Sequence, residues 1–168
     1  GDPTLSLEAI RRHLGPLFAN PAIPKQGHNL KYDLKILRRA GLPLEGLAFD
    51  TMLAEWVINP DSPNLGLKNL AWARLGLQMT EIKELIGSGR NQRTMAEVPL
   101  AQVVPYAAAD ADMSHRLVQQ LRPELEAHQQ LGLLRDLEMP LLPVLADMEL
   151  RGVKLDLVWL QRLSDELA

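Results

Sequence analysis

Two short stretches place acidic and phenolic groups at spacings that can act together. The first is Asn29-Leu30-Lys31-Tyr32-Asp33. It opens a helical pattern directly after an extended one, so Asp33 falls in a first turn, where free N–H groups and the helix dipole favour an anion. The second is Tyr106-Ala107-Ala108-Ala109-Asp110-Ala111-Asp112. Tyr106 and Asp110 stand at i and i+4, about 40° apart around a helix of roughly 3.6 residues per turn, and share a face. The three intervening alanines leave that face open to a substrate or to another backbone, while Asp112 points about 200° away from Asp110. Each stretch also has a purely structural reading. A first-turn aspartate stabilises its own helix, and an alanine-rich helix packs closely.

The remaining charged residues read more simply. Asp50 is placed to N-cap the helix that follows it, and Asp112 to cap or pack locally. The four histidines, His13, His28, His115 and His128, have no zinc-type spacing, although His28 adjoins the first stretch. Lys31, Lys35, Arg38 and Arg39 form the densest basic stretch, a solvated helix face before it is a phosphate contact. Two acidic pairs at i and i+2, Asp136 with Glu138 and Asp147 with Glu149, fall in helical patterns, where such positions diverge by about 200°. They read as solvated helix residues.

The elements that must position these groups follow from composition and pattern. The chain has 168 residues, 46% hydrophobic and 23% charged, enough for a buried core. A net charge of -3 and a pI near 5.8 exclude a globally basic surface. Zero cysteines exclude disulfides and thiolate metal sites and suit a reducing cytoplasm, the expected location. No uncharged run approaches the roughly 18 residues of a spanning helix, so no membrane partner is expected.

Ser6 is set to N-cap a helix carrying Ile10, Leu14, Leu17 and Phe18, with Leu5 able to staple onto Ile10, and Asn20, Pro21 and Pro24 stop it. Residues 22–28 read as extended and 30–40 as helix ending at Gly41. Leu47, Ala48 and Phe49 form a second short strand, followed by a helix with Leu53, Trp56 and Val57 on one face. Residues 59–64 are a loop, 67–75 and 80–86 short helices, and 87–93 a mobile basic surface loop. From Leu100 a helix of roughly 30 residues is expected, with Pro105 causing a kink or a fresh start. Residues 136–150 form another helix closed by Gly152, and Asp156 caps a last one bearing Leu157, Leu160, Leu163 and Leu167, which runs to Ala168 without a stop signal.

The two chemical stretches together resemble the second and third motifs of the DEDDy 3′-5′ exonucleases, Asn-x-x-x-(Tyr/Phe)-Asp and Tyr-x-x-x-Asp. Gly27-His28-Asn29-Leu30-Lys31-Tyr32-Asp33, Ala48-Phe49-Asp50-Thr51-Met52-Leu53, the stretch from Tyr106 to Asp112, and Glu138-Met139-Pro140-Leu141-Leu142-Pro143-Val144-Leu145 are similar, in that order, to the bacterial family A DNA polymerases. The resemblance covers essentially the whole chain and extends through Met148 to Asp156, which looks like the approach to the polymerase domain.

The resemblance implies an α/β, ribonuclease-H-like fold that is helix-rich. It divides the chain into a partial exonuclease domain at 1–135 and a connection toward the polymerase thumb at 136–168. It implies two divalent cations, Mg2+ or Mn2+, with Asp110 as a direct ligand and Asp33 holding the second ion. Tyr106 would orient the attacking water. Asn29, Tyr32, His28 and Lys31 would contact the DNA 3′ end, single-stranded or at a frayed primer terminus, with a polymerase domain in the same natural chain. The family's opening Asp-x-Glu motif is absent: the acids before Asp33 are Asp2 and Glu8. The sequence therefore reads as lacking the first strands, inactive by itself and binding few or no cations, with a remnant sheet left with an open edge. In the loop 59–65, Asn64 and Leu65 stand where relatives often carry a basic residue facing DNA. Two other readings remain, an RNase D-like exonuclease acting on RNA and a catalytically dead platform within a polymerase.

Overall fold

The computed structural model describes residues 5–167, so Asp2 and Ala168 lie outside it. Helices dominate, in the order α1 (Leu7–Ala19), β1 (Lys25–Gly27), α2 (Leu30–Arg39), β2 (Leu47–Asp50), α3 (Thr51–Ile58), α4 (Leu67–Leu75), α5 (Ile82–Ile86), α6 (Leu100–Ala127), α7 (Leu131–Leu133), α8 (Met139–Arg151) and α9 (Leu157–Leu167).

Local signals set most boundaries. Ser6 accepts from Ala9 N at 3.1 Å and caps α1, which runs through Pro16 and ends at Asn20. At the far end of the chain, Asp156 accepts from Trp159 N at 3.0 Å to start α9. Gly41 follows α2 at φ 69 and Gly152 closes α8 at φ 71, left-handed positions that glycine takes without a Cβ penalty.

β1 and β2 are parallel, with α2 as their crossover, and pair Gln26 with Phe49 and Gly27 with Asp50. They are the strands found among the described residues, and each pairs only with the other. The long helix α6 packs on both α3 and α4 and touches β1. Its second half supplies Leu117, Val118, Leu121 and Leu125 to the main core, where they meet Leu30 and Leu34 of α2, Phe49 of β2, Ala54 and Val57 of α3, and Leu70 of α4. The same cluster continues through Leu134, Met139, Leu142 and Ala146, so packing passes residue 135 without a break.

Several expectations are corrected. Of the face expected on α3, Val57 is buried and Leu53 packs on the core, but Trp56 is exposed, and Thr51, Ala54 and Glu55 are buried in its place because β2 and α6 press on that side. No fresh helix starts at Pro105. It lies in the second turn of α6, where its missing N–H removes one bond and the 28-residue helix continues. The helix expected from residue 136 begins at α7 and passes through a π-helical turn, Leu134–Glu138. Pro140 cannot donate to the Asp136 carbonyl, so a wider turn just before it forfeits little. The last helix α9 buries none of its residues.

The acids of α8 are not merely solvated, nor are the bases of α2. Lys31 and Lys35 donate to the two carboxylate oxygens of Glu149 at 2.6 and 2.5 Å, and Arg38 pairs with Asp147. Three cations along one face of α2 meet two anions on α8, a seam that a single-helix reading cannot see.

Candidate active site

The two strands end side by side, and each leads directly into a helix. The turn from β1 into α2 is made at Asn29, with φ 57 and ψ 48, a left-handed conformation that asparagine tolerates better than most residues. That turn directs two N–H groups at Asp50. Its carboxylate accepts from Asn29 N at 3.1 Å and Leu30 N at 2.7 Å, and also from Met52 N at 2.9 Å and Leu53 N at 3.3 Å. One buried aspartate therefore caps both α2 and α3. The sequence indicated only the cap on α3, since nothing local shows that the start of α2 lies against it.

His28 reinforces the same junction. Its Nδ1 is 2.9 Å from Thr51 Oγ1, and Thr51 Oγ1 lies 3.3 Å from the Gly27 carbonyl. Burial lowers the imidazole pKa, against the Asp50 charge and a hydrogen bond to the Leu65 backbone. Burial thus favours the neutral ring over the charged one.

Beside this junction lies an open groove of about 620 Å³ between β1, α2 and α6. Gly27, His28, Tyr32 and Asp33 line it from one side, and Asp110, Ala111, Ser114 and His115 from α6. The amide of Gln26 spans the two sides, its Nε2 lying 2.5 Å from His115 Nδ1. The two carboxylates that the motifs single out therefore border one groove. Tyr106 sits one turn before Asp110 on α6, half-buried, and Ala107 and Ala108 beside it are exposed.

Asp110 has its Oδ1 buried with no hydrogen-bond partner. Partial burial pushes its carboxyl above the ordinary range, partly offset by the nearby Lys68 charge. Asp33 is exposed on the groove rim, yet desolvation against the wall it lines raises its pKa too, and the Asp50 charge adds to the rise. An unpartnered carboxylate oxygen in a groove that a second carboxylate also lines suits a hard, oxygen-ligated divalent cation in kind. In number the donors fall short: among the described residues no three or more His, Asp or Glu side chains gather where they could hold a metal.

Asn29 and Lys31 lie elsewhere. They line a separate cavity of about 70 Å³ with Glu138 and Leu142, facing α8. Lys31 is turned that way by Glu149. Sequence reasoning also passed over Lys68, whose ammonium donates to the Tyr106 hydroxyl at 3.1 Å. A signal for it existed, because a cation in the first turn of a helix opposes the dipole.

A family model for the 3′-5′ exonuclease of DNA polymerase A matches residues 2–126, and the chain belongs to that family. Among curated relatives it is 46% identical over 158 residues to DNA polymerase I of Chloroflexus aurantiacus, covering 92% of this chain and 16% of that protein. It is 39% identical over 155 residues to DNA polymerase I of Pseudomonas aeruginosa, covering 90% and 17%. The chain thus spans about a sixth of these relatives. A solved structure, the POL domain of Pol1 from M. smegmatis in complex with DNA primer-template and dNTP, matches with a TM-score of 0.71 and 28% identity, over 97% of this chain and 25% of that one. Among the described residues no helix is long and apolar enough to cross a membrane.

Proposed function

We propose that this chain is the proofreading 3′-5′ exonuclease portion of a family A DNA polymerase, with 1–135 as the exonuclease part and 136–168 leading toward the polymerase domain. The observation that carries the reading is the groove itself, bordered by Asp33 and Asp110 with Tyr106 one turn away, in a chain of the exonuclease family. The substrate is the 3′ end of DNA, single-stranded or frayed from a primer, and the relative solved with a DNA primer-template supports that choice.

Asp110, through its unpartnered oxygen, and Asp33 on the opposite wall would hold divalent cations, Mg2+ or Mn2+. Bound there, two such ions supply an activated water and charge compensation at the attacked phosphate. The chain's own groups do the rest. Tyr106 orients the attacking water, exposed Ala107 and Ala108 let the strand approach α6 closely, and His28 and Tyr32 border the terminal nucleotides. Asn29 serves by its left-handed turn rather than as a wall of the groove. The Asp-x-Glu motif that the family resemblance adds to Asp33 and Asp110 would bring the carboxylates to four, and without it the 168-residue chain alone should excise little. Close cations with too few anions repel.

The test measures mononucleotide release from 3′-labelled single-stranded DNA and RNA with Mg2+ or Mn2+. It compares a full-length polymerase carrying this segment, the same protein with Asp110→Ala, and the 168-residue chain. Metal-dependent DNA trimming by the full-length protein should fall more than about 100-fold in the variant. Unchanged release after Asp110→Ala would refute the site, and robust release by the short chain would refute the carboxylate count. Preference for RNA would favour the RNase D-like reading, and no release by the full-length protein would favour the platform.

A further inference from the structure

Lys68 stands where helix electrostatics disfavour it. It is the second residue of α4, whose N-cap is Gly66, so its positive charge sits against the positive end of the helix dipole. Its stem leaves α4 and its ammonium makes three contacts away from that helix. It donates to the Thr80 carbonyl beyond the end of α4, donates to the Tyr106 hydroxyl at 3.1 Å, and lies 4.2 Å from the centroid of the Tyr106 ring. Its field also reaches Asp110, one turn further along α6.

An ammonium has donors only, so the Tyr106 oxygen must act as acceptor toward it. With an acceptor position of that oxygen taken by a cation, the function the phenol has left to offer strongly is its own O–H. We propose that Lys68 is a positioning residue that fixes the polarity of Tyr106, making its hydroxyl a hydrogen-bond donor toward the attacked phosphate or its water rather than an acceptor. The ring contact holds the phenol's orientation, because a cation above the ring face is attracted by its quadrupole. The inference deepens the proposed exonuclease reading and rests on it. Lys68 acts through Tyr106; it is not assigned a contact with substrate.

A residue that merely tied α4, the Thr80 segment and α6 together would disturb the fold equally whether or not Tyr106 kept its hydroxyl. A double-mutant cycle separates the two cases. In the full-length polymerase, excision from single-stranded DNA with Mg2+ is measured for wild type, Lys68→Met, Lys68→Arg, Tyr106→Phe, the Lys68→Met/Tyr106→Phe double variant and Asp110→Ala. Nucleotide incorporation is measured on the same preparations. Lys68→Met should lower kcat about 10-fold with KM within about 2-fold, the scale of one hydrogen bond weakened in the transition state. Lys68→Arg, which keeps charge and donors, should recover most of it. In the Tyr106→Phe background the same substitution should add less than about 2-fold. Equal loss in both backgrounds, loss confined to KM, no loss, or a parallel fall in incorporation would overturn the proposal. Excision retained in Asp110→Ala would remove the active-site reading first, and this inference with it.

Discussion

Replacing Asp50 should unsettle two helices at once. Its carboxylate is 1% exposed and accepts four N–H groups, two opening α2 and two opening α3. Loss of one N-cap costs about 0.5–2 kcal/mol, and a buried donor left unsatisfied costs about 1–3 kcal/mol. The 3.3 Å bond from Leu53 is shared with a better one on the same oxygen, so it adds little. Asp50→Ala is therefore expected to cost about 3–5 kcal/mol, a large part of a typical total of about 5–15 kcal/mol. Asp50→Asn retains an oxygen that can accept from Asn29, Met52 and Leu53, and presents its NH2 to Leu30 N, which donates at 2.7 Å in the native protein. One charged bond is lost, and about 1.5–3 kcal/mol is expected.

The assay is urea unfolding of the 168-residue chain followed by far-UV circular dichroism, with the slope compared among variants to confirm that the same surface unfolds. NMR titration of Asp33 adds an independent reading. Desolvation keeps its pKa raised in both proteins, but Asp50→Asn removes the neighbouring negative charge, so the Asp33 pKa should move down. A cost below about 1 kcal/mol for Asp50→Ala, or an Asn variant as damaged as the Ala variant, would refute the double-cap reasoning.

Arg74 donates to Glu55 at 2.8 Å and to Glu124 at 2.9 Å, and Glu55 is buried. Arg74→Met should cost about 3–5 kcal/mol in the same unfolding assay because it strands the Glu55 carboxylate, and Glu55→Gln in that background should recover part of the loss. Glu149 is held down to about 2 from 4.5, chiefly by hydrogen bonds from Lys31 and Lys35. A depressed carboxylate stabilises the fold above its unfolded pKa and ceases to do so as pH falls through the folded one. Glu149→Gln should therefore flatten the pH dependence of stability between about 4.5 and about 2 while changing little at the acid end, with the difference shrinking in high salt. An unchanged profile would show that the α2–α8 seam does not contribute.

Most boundaries were legible in the sequence because their causes lie within a few residues. Ser6 and Asp156 cap their own helices, Gly41 and Gly152 take left-handed turns after theirs, and the leucines of α6 recur at the spacing of one buried face. The i, i+4 relation of Tyr106 and Asp110 is likewise a property of any helix. What tertiary structure decided is what each side chain meets across space. Trp56 is exposed because β2 and α6 press on the opposite side of α3. Lys31, Lys35 and Arg38 meet carboxylates more than a hundred residues away, where sequence offers only a basic face. Asp50 gains a second helix to cap because the parallel pairing sets Gly27 beside it, and Lys68 reaches Tyr106 because α4 packs on α6. Helix periodicity and capping are short-range steric and hydrogen-bonding effects. Ion pairs, shared caps and the direction of a tyrosine's hydrogen bond depend on which surfaces the core brings together, and that is settled only when the whole chain packs.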